Sequence, residues 1–367
     1  MTHREDGILL MKAKWSLGFK WGWWILLSLL TVEAVCQVRY RMVNGKWYLQ
    51  ARRDAPRGML QLHPYFGLSL VPNLSVERKG IRLSHNSFGY RGPEFARPKP
   101  PGRIRVAALG GSSTYCAGVS DEQTWPYLLG AQLGAGYEVV NLGVPSYSSL
   151  EASLQSALLF SDVRPDIALY YLGWNDLQVQ HVKNLMPDWS DSHGKMMLAT
   201  ALGSRELEER TATGYSIKRV LFHSFFPGMD TDLIVPAIKG TPDAFTDRID
   251  ERALGQFERN ARNIVALCRR QGVKPVFVPQ LLNYQALTKD KPYGWILFVR
   301  DRDLKTVMGA YNEALARVAK EEGAEFLGEV LEQPFGGSDF IDQGHFSEAG
   351  NRRFAQILAG CLKRAGN

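Results

Sequence analysis

Apolar and polar positions follow three regimes along this chain. From Trp21 to Val38 the run WGWWILLSLLTVEAVCQV is almost continuously apolar, long enough to approach the thickness of a bilayer core and interrupted late by Glu33. From Asn44 to Pro101 helical periodicity fades. There LSLVPNLSVERKGIRLSHNSFGYRG alternates apolar and polar residues between turn residues, which predicts a short hairpin or strand pair, and RGPEFARPKPPGR reads as a domain boundary. From Arg103 onward, short apolar runs alternate with longer amphipathic stretches.

That last rhythm predicts strands at IRVAALG, YEVVNLG, DIALYYLG, KPVFVPQLL and AEFLGEV, and helices near residues 124–133, 150–160, 253–271, 304–322 and 347–365. Strands that alternate with helices join by right-handed crossovers into a parallel sheet covered on both faces. The expected fold is therefore α/β, a three-layer α/β/α sandwich with five parallel strands over residues 102–367. Residues 179–252 break the rhythm with Pro, Gly and Asp punctuation, as an inserted, substrate-facing segment would. Its apolar residues Phe222, Phe225, Phe226 and Leu233 could line an acyl groove, although such patches more often pack internally.

Composition narrows the class without fixing a function. The chain has 367 residues, 45% hydrophobic and 22% charged, which suits one large domain with decorations. A net charge of +7 raises nucleic acid, an anionic membrane or an acidic polymer as partners. No nucleic-acid partner is expected, because the basic residues are spread out or gathered around the N-terminal apolar run, with no nucleic-acid motif. Cys36, Cys116, Cys268 and Cys361 are far apart and form no Cys-x-x-Cys pair, so neither a zinc site nor a disulfide framework is indicated.

The N-terminal pattern predicts a tail at 1–20, an uncleaved membrane anchor at 21–38 and a connector at 39–101. Trp21, Trp23 and Trp24 beside Lys20 resemble one interfacial belt, and Arg39, Tyr40 and Arg41 mark the other boundary. A cleaved signal peptide would fit the same apolar length, but no small-x-small cleavage site follows, and Val35 before Cys36 makes a poor lipoprotein box. Lys and Arg flank the segment on both sides, so charge does not orient it.

In open α/β sheets, ligands bind beyond the carboxyl ends of the strands. Those positions carry LGGSST after the first strand, NLGVPS after the second and LGWND after the third. A serine on a glycine-lined turn suits a nucleophile, although GGSS alone is equally a helix start. Near the C-terminus, FIDQGHFSEAG places Asp342 three residues before His345, so one loop can supply both a base and the carboxylate that orients it. Asn175 offers an amide donor of the kind an oxyanion requires, and Gly143 a bare backbone N–H; each is also an ordinary turn residue.

In combination these blocks, GGSST at 110–114, NLGVPS at 141–146, GWND at 173–176 and DQGH at 342–345, resemble the SGNH (GDSL-like) hydrolases. The resemblance covers Arg103 to the C-terminus. It departs at Gly111, where many members carry aspartate. It implies a flavodoxin-like SGNH fold, Ser112 as nucleophile, His345 as base, Asp342 as its orienting carboxylate, and an oxyanion hole from Ser112, Gly143 and Asn175. No metal or other cofactor is called for. Ser113 is the neighbouring serine that helps start the helix. The resemblance and the short tail together place the domain outside the cytoplasm. They suggest an O-acetyl ester on a cell-envelope or exported polysaccharide as substrate. An O-acyltransferase, a lipid esterase or thioesterase, and a catalytically silent carbohydrate-binding protein are the alternatives; oligomeric state is left open.

Overall fold

The structure, a computed structural model, describes residues 2–45, 47–50, 59–78, 80–182, 185–189, 211–214, 216–217, 248–287, 296 and 299–365. Most of 179–252, including Phe222, Phe225, Phe226 and Leu233, lies outside the described residues. The chain divides into two compact units, Met1–Gly58 with Leu202–Met229, and Met59–Ala201 with Asp230–Asn367.

In the first unit, helix α1 runs from Thr2 to Asn44, and its stretch Lys20–Val43 is long and apolar enough to cross a membrane. The helix extends past both ends of the 21–38 run, since nothing in the flanking sequence breaks it. Glu33 does not stand unpaired in that stretch. Its carboxylate accepts the backbone N–H groups of Ala212 (2.8 Å) and Thr213 (2.9 Å) and the Gln37 side-chain amide (2.8 Å). Among apolar neighbours an ionised group needs such partners, because desolvating it without them costs several kcal/mol or more.

The second unit begins with two antiparallel hairpins where one strand pair was expected. Strands β1 (Leu60–His63) and β2 (Gly67–Leu70) form the first, and β3 (Ser75–Arg78) and β4 (Ile81–Ser84) the second. The central sheet follows: β5 (Ile104–Gly110), β6 (Tyr137–Asn141), β7 (Ile167–Tyr171), β8 (Lys274–Val278) and β9 (Glu325–Phe326), all parallel, in the order β6-β5-β7-β8-β9. The last strand is only two residues long because Gly328–Val330 turns into a 3-10 helix. The chain moves from β5 to β6 on one side and then to β7 on the other, so the order reverses at β5. That reversal opens a crevice at the carboxyl ends of the strands.

Helices α2 (Ser112–Tyr115), α3 (Trp125–Leu133), α4 (Ser149–Leu158), α5 (Phe160–Val163), α6 (Glu251–Arg270), α7 (Leu304–Glu322) and α8 (Glu348–Ala365) complete the unit. One helix was expected over 150–160; it breaks at Leu159, and α5 ends in Arg164 at a left-handed φ of 49°. Alternation along the strands assigns the two faces. Ala168, Tyr170 and Leu172 join the core that contains Phe257 and Ile264 of α6 and Tyr311 of α7. Leu169 and Tyr171 join the opposite core, with Trp125 of α3 and Phe354 and Leu358 of α8. Side chains two apart share a face of a strand, so burial on both faces follows from near-continuous apolar runs. The result is the three-layer α/β/α sandwich.

Candidate active site

The end of β5 and the start of α2 form one tight turn. Gly110 has φ 153°, and a Cβ there would lie 2.3 Å from Thr114 Oγ1 and 2.5 Å from the Tyr171 carbonyl, so only glycine fits. Ser112 follows as the first residue of α2, beyond the sheet edge. Its hydroxyl lies 2.7 Å from His345 Nε2. On the other side of the ring, His345 Nδ1 lies 2.7 Å from Asp342 Oδ2. Three side chains more than 200 residues apart in part thus form one continuous hydrogen-bonded chain.

The loop carrying Asp342 and His345 is fixed from within and without. Asp342 Oδ1 accepts the backbone N–H groups of Gly344 (2.9 Å) and His345 (2.8 Å). Asn283 binds the loop from outside, its N–H to the Gln343 carbonyl (2.9 Å) and its side-chain amide to the Asp342 carbonyl (3.2 Å). Burial pushes the Asp342 carboxyl up, but the His345 hydrogen bond, the His345 charge and the two backbone N–H groups outweigh it and hold the group below the usual carboxylate range. Ser113 has a different part. Its buried hydroxyl donates to the Gly344 carbonyl (2.9 Å), tying α2 to the loop.

Asn175 stands after β7. One hydrogen of its side-chain amide goes to the Tyr147 carbonyl (2.7 Å), and an amide has a second. Behind it, the buried carboxylate of Asp176 receives the N–H groups of Ser149 (2.9 Å) and Gly173 (3.1 Å). Burial raises the Asp176 carboxyl to about 6 in spite of the Ser149 and Gly173 hydrogen bonds, with the nearby Glu151 charge adding to the rise.

Gly143 is placed differently from the expectation. Its N–H already donates to Asn141 Oδ1 (2.9 Å), and a Cβ on it would lie 2.6 Å from the Tyr115 N, so its glycine is required by close packing against α2. It is not among the residues around the pocket that Ser112 opens onto. Three residues later Ser146 holds a left-handed φ of 73°, and its N–H has no partner among the described residues. Nothing in the sequence marks that position, because serine seldom adopts this conformation.

A small pocket beside Ser112 is bordered by Gly111, Ser112, Tyr147, Trp174, Asn175 and Gln280, with Tyr171 and Leu172 among its walls. Gln280, just beyond β8, is a residue that strand-end reasoning could have found, since the fourth strand ends there. Arg91, from the LSHNSFGYRG segment, was also not anticipated. It is buried, pairs with Asp121 (3.0 Å) and donates to the carbonyls of Tyr115, Cys116 and Val119, so it holds the C-terminal end of α2. Cys116, Cys268 and Cys361 are buried free thiols, and burial pushes Cys116 up to about 12, which keeps it inert beside Ser112. Among the described residues no cluster of three or more His, Cys, Asp or Glu side chains is arranged to hold a metal ion.

A strand-end serine, a histidine–aspartate loop and an asparagine are thus brought together at the carboxyl edge of a single parallel sheet. A sequence model of the GDSL-like lipase/acylhydrolase family matches residues 108–353, and the chain belongs to that family. No curated protein matches the chain. Solved structures similar to it include TesA (16% identity, covering 71% of this chain and 98% of that one, TM-score 0.42). Others are the acetyl xylan esterase AlAXEase (14%, 71% and 100%, 0.40) and the native aryl esterase of M. Smegmatis (15%, 71% and 99%, 0.41).

Proposed function

We propose that this chain is a membrane-anchored serine esterase that removes a short acyl group, acetyl in the first instance, from a hydroxyl of a cell-envelope or exported polysaccharide. The observation that carries the reading is the unbroken line from Ser112 Oγ through both ring nitrogens of His345 to Asp342 Oδ2, with 2.7 Å at each contact. A serine hydroxyl is a weak nucleophile until an adjacent base takes its proton, and the base needs its tautomer fixed. Asp342, held as a carboxylate, fixes it by accepting a hydrogen bond from Nδ1–H.

In this reading Ser112 Oγ adds to the ester carbonyl as its proton passes to His345 Nε2. The oxyanion is received by the Ser112 N–H and the second Asn175 amide hydrogen, donors already in place before charge develops. Gly143, with its N–H given to Asn141, contributes close packing behind them. The leaving alcohol takes the proton from Nε2, and an acyl-Ser112 ester remains. Water then loses a proton to Nε2 as it attacks that ester, and the carboxylic acid and free Ser112 are released. The anchor at 21–38 and an extracytoplasmic domain belong to the same proposal, supported by the apolar stretch of α1.

The test uses the full chain in detergent with p-nitrophenyl acetate and a fluorophosphonate probe. Turnover and labelling present in the wild type and lost in Ser112→Ala and His345→Ala are the expected results. A folded wild type that neither labels nor turns over defeats the reading. Release of acylated sugar in place of free acid, when a sugar acceptor is added, would make the enzyme a transferase with the same triad.

A further inference from the structure

Gln280 is held more firmly than its place beyond a strand end requires. Its backbone N–H donates to Asn312 Oδ1 (2.9 Å), and its carbonyl accepts from Asn312 Nδ2 (3.0 Å), so α7 grips the peptide on both sides. Its side-chain amide nitrogen donates to the Tyr171 hydroxyl (3.0 Å) and to the Leu281 carbonyl (3.1 Å). A carbonyl can only accept, so the Leu281 contact fixes which end of the amide is nitrogen. The oxygen, Oε1, therefore faces the other way. No described residue donates to it, although Gln280 is 98% buried by its 2% exposure and borders the same pocket as Ser112.

We infer that Gln280 Oε1 is a specificity-determining acceptor for a hydroxyl group carried beside the scissile ester. The oxygen itself is not sealed from the pocket, and neither Ser112 nor Asn175 is bonded to it, so it is free to accept from a bound molecule. An amide oxygen bears no proton at any working pH, so the complementary group must be a donor, and on the polysaccharide ester proposed above the abundant donor beside an ester is a hydroxyl. This inference rests on the esterase reading and refines its substrate: an ester with a free neighbouring hydroxyl is bound in register, and one without it leaves Oε1 unpaired. Sites built to bond a substrate hydroxyl reject analogues lacking it far more strongly than apolar pockets reject a missing methylene.

The hydroxyl can lie on either side of the ester, and two substrate pairs separate the cases. On the alcohol side, 2-hydroxyethyl acetate is compared with 2-methoxyethyl acetate; on the acyl side, ethyl glycolate with ethyl methoxyacetate. For the full chain in detergent, the expected result is a preference of about tenfold or more in kcat/KM for the hydroxyl member of one pair. Gln280→Met, of similar length and without the acceptor, is expected to bring that ratio to near one. A wild-type ratio near one for both pairs overturns the inference, whether or not the variant folds, and so does a folded Gln280→Met that keeps the wild-type ratio. Fluorophosphonate labelling of Ser112 and turnover of p-nitrophenyl acetate test the esterase reading independently of both ratios.

Discussion

A Cβ on Gly111 would lie 2.2 Å from the Asn175 side-chain nitrogen and 3.0 Å from the Tyr147 carbonyl that this nitrogen binds. The bare Cα of Gly111 therefore lets the Asn175 amide close over the turn that carries Ser112. The absence of a side chain there makes room for a donor. Gly111→Ala is expected to push Asn175 off the Tyr147 carbonyl and to lower kcat by about 10²–10³-fold, the usual cost of losing one oxyanion donor. Asn175→Ala should lose a similar factor, and the double variant little more than either. Steady-state kinetics on p-nitrophenyl acetate, with fluorophosphonate labelling still detectable, would check this.

Ser113 is the internal control for the nucleophile. Ser113→Ala removes the hydroxyl that donates to the buried Gly344 carbonyl, so a stability loss of about 1–2 kcal/mol is expected. Labelling by a fluorophosphonate should persist, because Ser112 and His345 are untouched. Thermal melting together with labelling distinguishes this from Ser112→Ala, which should melt like the wild type and fail to label.

Arg91→Met is expected to be among the most destabilising single changes in the hydrolase unit. It strands the Asp121 carboxylate and leaves the carbonyls of Tyr115, Cys116 and Val119 without their guanidinium donor. Breaking a buried pair from one side costs about 3–5 kcal/mol. Urea unfolding should show the loss, and activity per folded molecule should fall as well, since those carbonyls terminate the helix that begins with Ser112.

Stability should depend on pH in two opposite ways. Asp176 has a folded-state value of about 6, above its ordinary 3.8, so the folded state binds its proton more tightly. Its contribution is fully present below about pH 3.8 and is lost as pH rises through about 6. Asp342 is held below its ordinary range, so its contribution is present above that range and is lost as pH falls through the lower folded value. Melting temperatures measured from pH 3 to 8 should show a decline between about pH 4 and 6 that disappears in Asp176→Asn. That variant should itself be less stable at acid pH, because one amide end would face a backbone N–H.

Much of the architecture was legible in the order of apolar runs. Strands whose residues are apolar on both faces, separated by helices with one apolar face, have few ways to pack other than as a covered parallel sheet, and the five strands appear where those runs stand. The end of the sheet was less legible: AEFLGEV forms only Glu325–Phe326 as strand, because an edge strand has one partner to pair with and Gly328 turns the chain away. A single hairpin was expected ahead of the sheet and two formed, since β1 and β3 each contribute only four residues, too few for a clear period.

What the sequence determined by itself is the set of chemical groups and the loops that bear them: Ser112, Asn175, Asp342 and His345 each follow a strand or precede a helix, as local pattern alone requires. Which groups meet, and which are already engaged, was decided by tertiary structure. Gly143 reads as a free donor until Asn141 is found to occupy its N–H, and Gln280 reads as part of the strand KPVFVPQLL, which ends at Val278, leaving Asn312, Tyr171 and Leu281 to hold the residue beyond it. The physical reason is that hydrophobic periodicity is a property of neighbours in sequence, whereas the partner of a polar atom is set by contacts across the fold. Asn312 reaches Gln280 from 32 residues away, and His345 reaches Ser112 from 233.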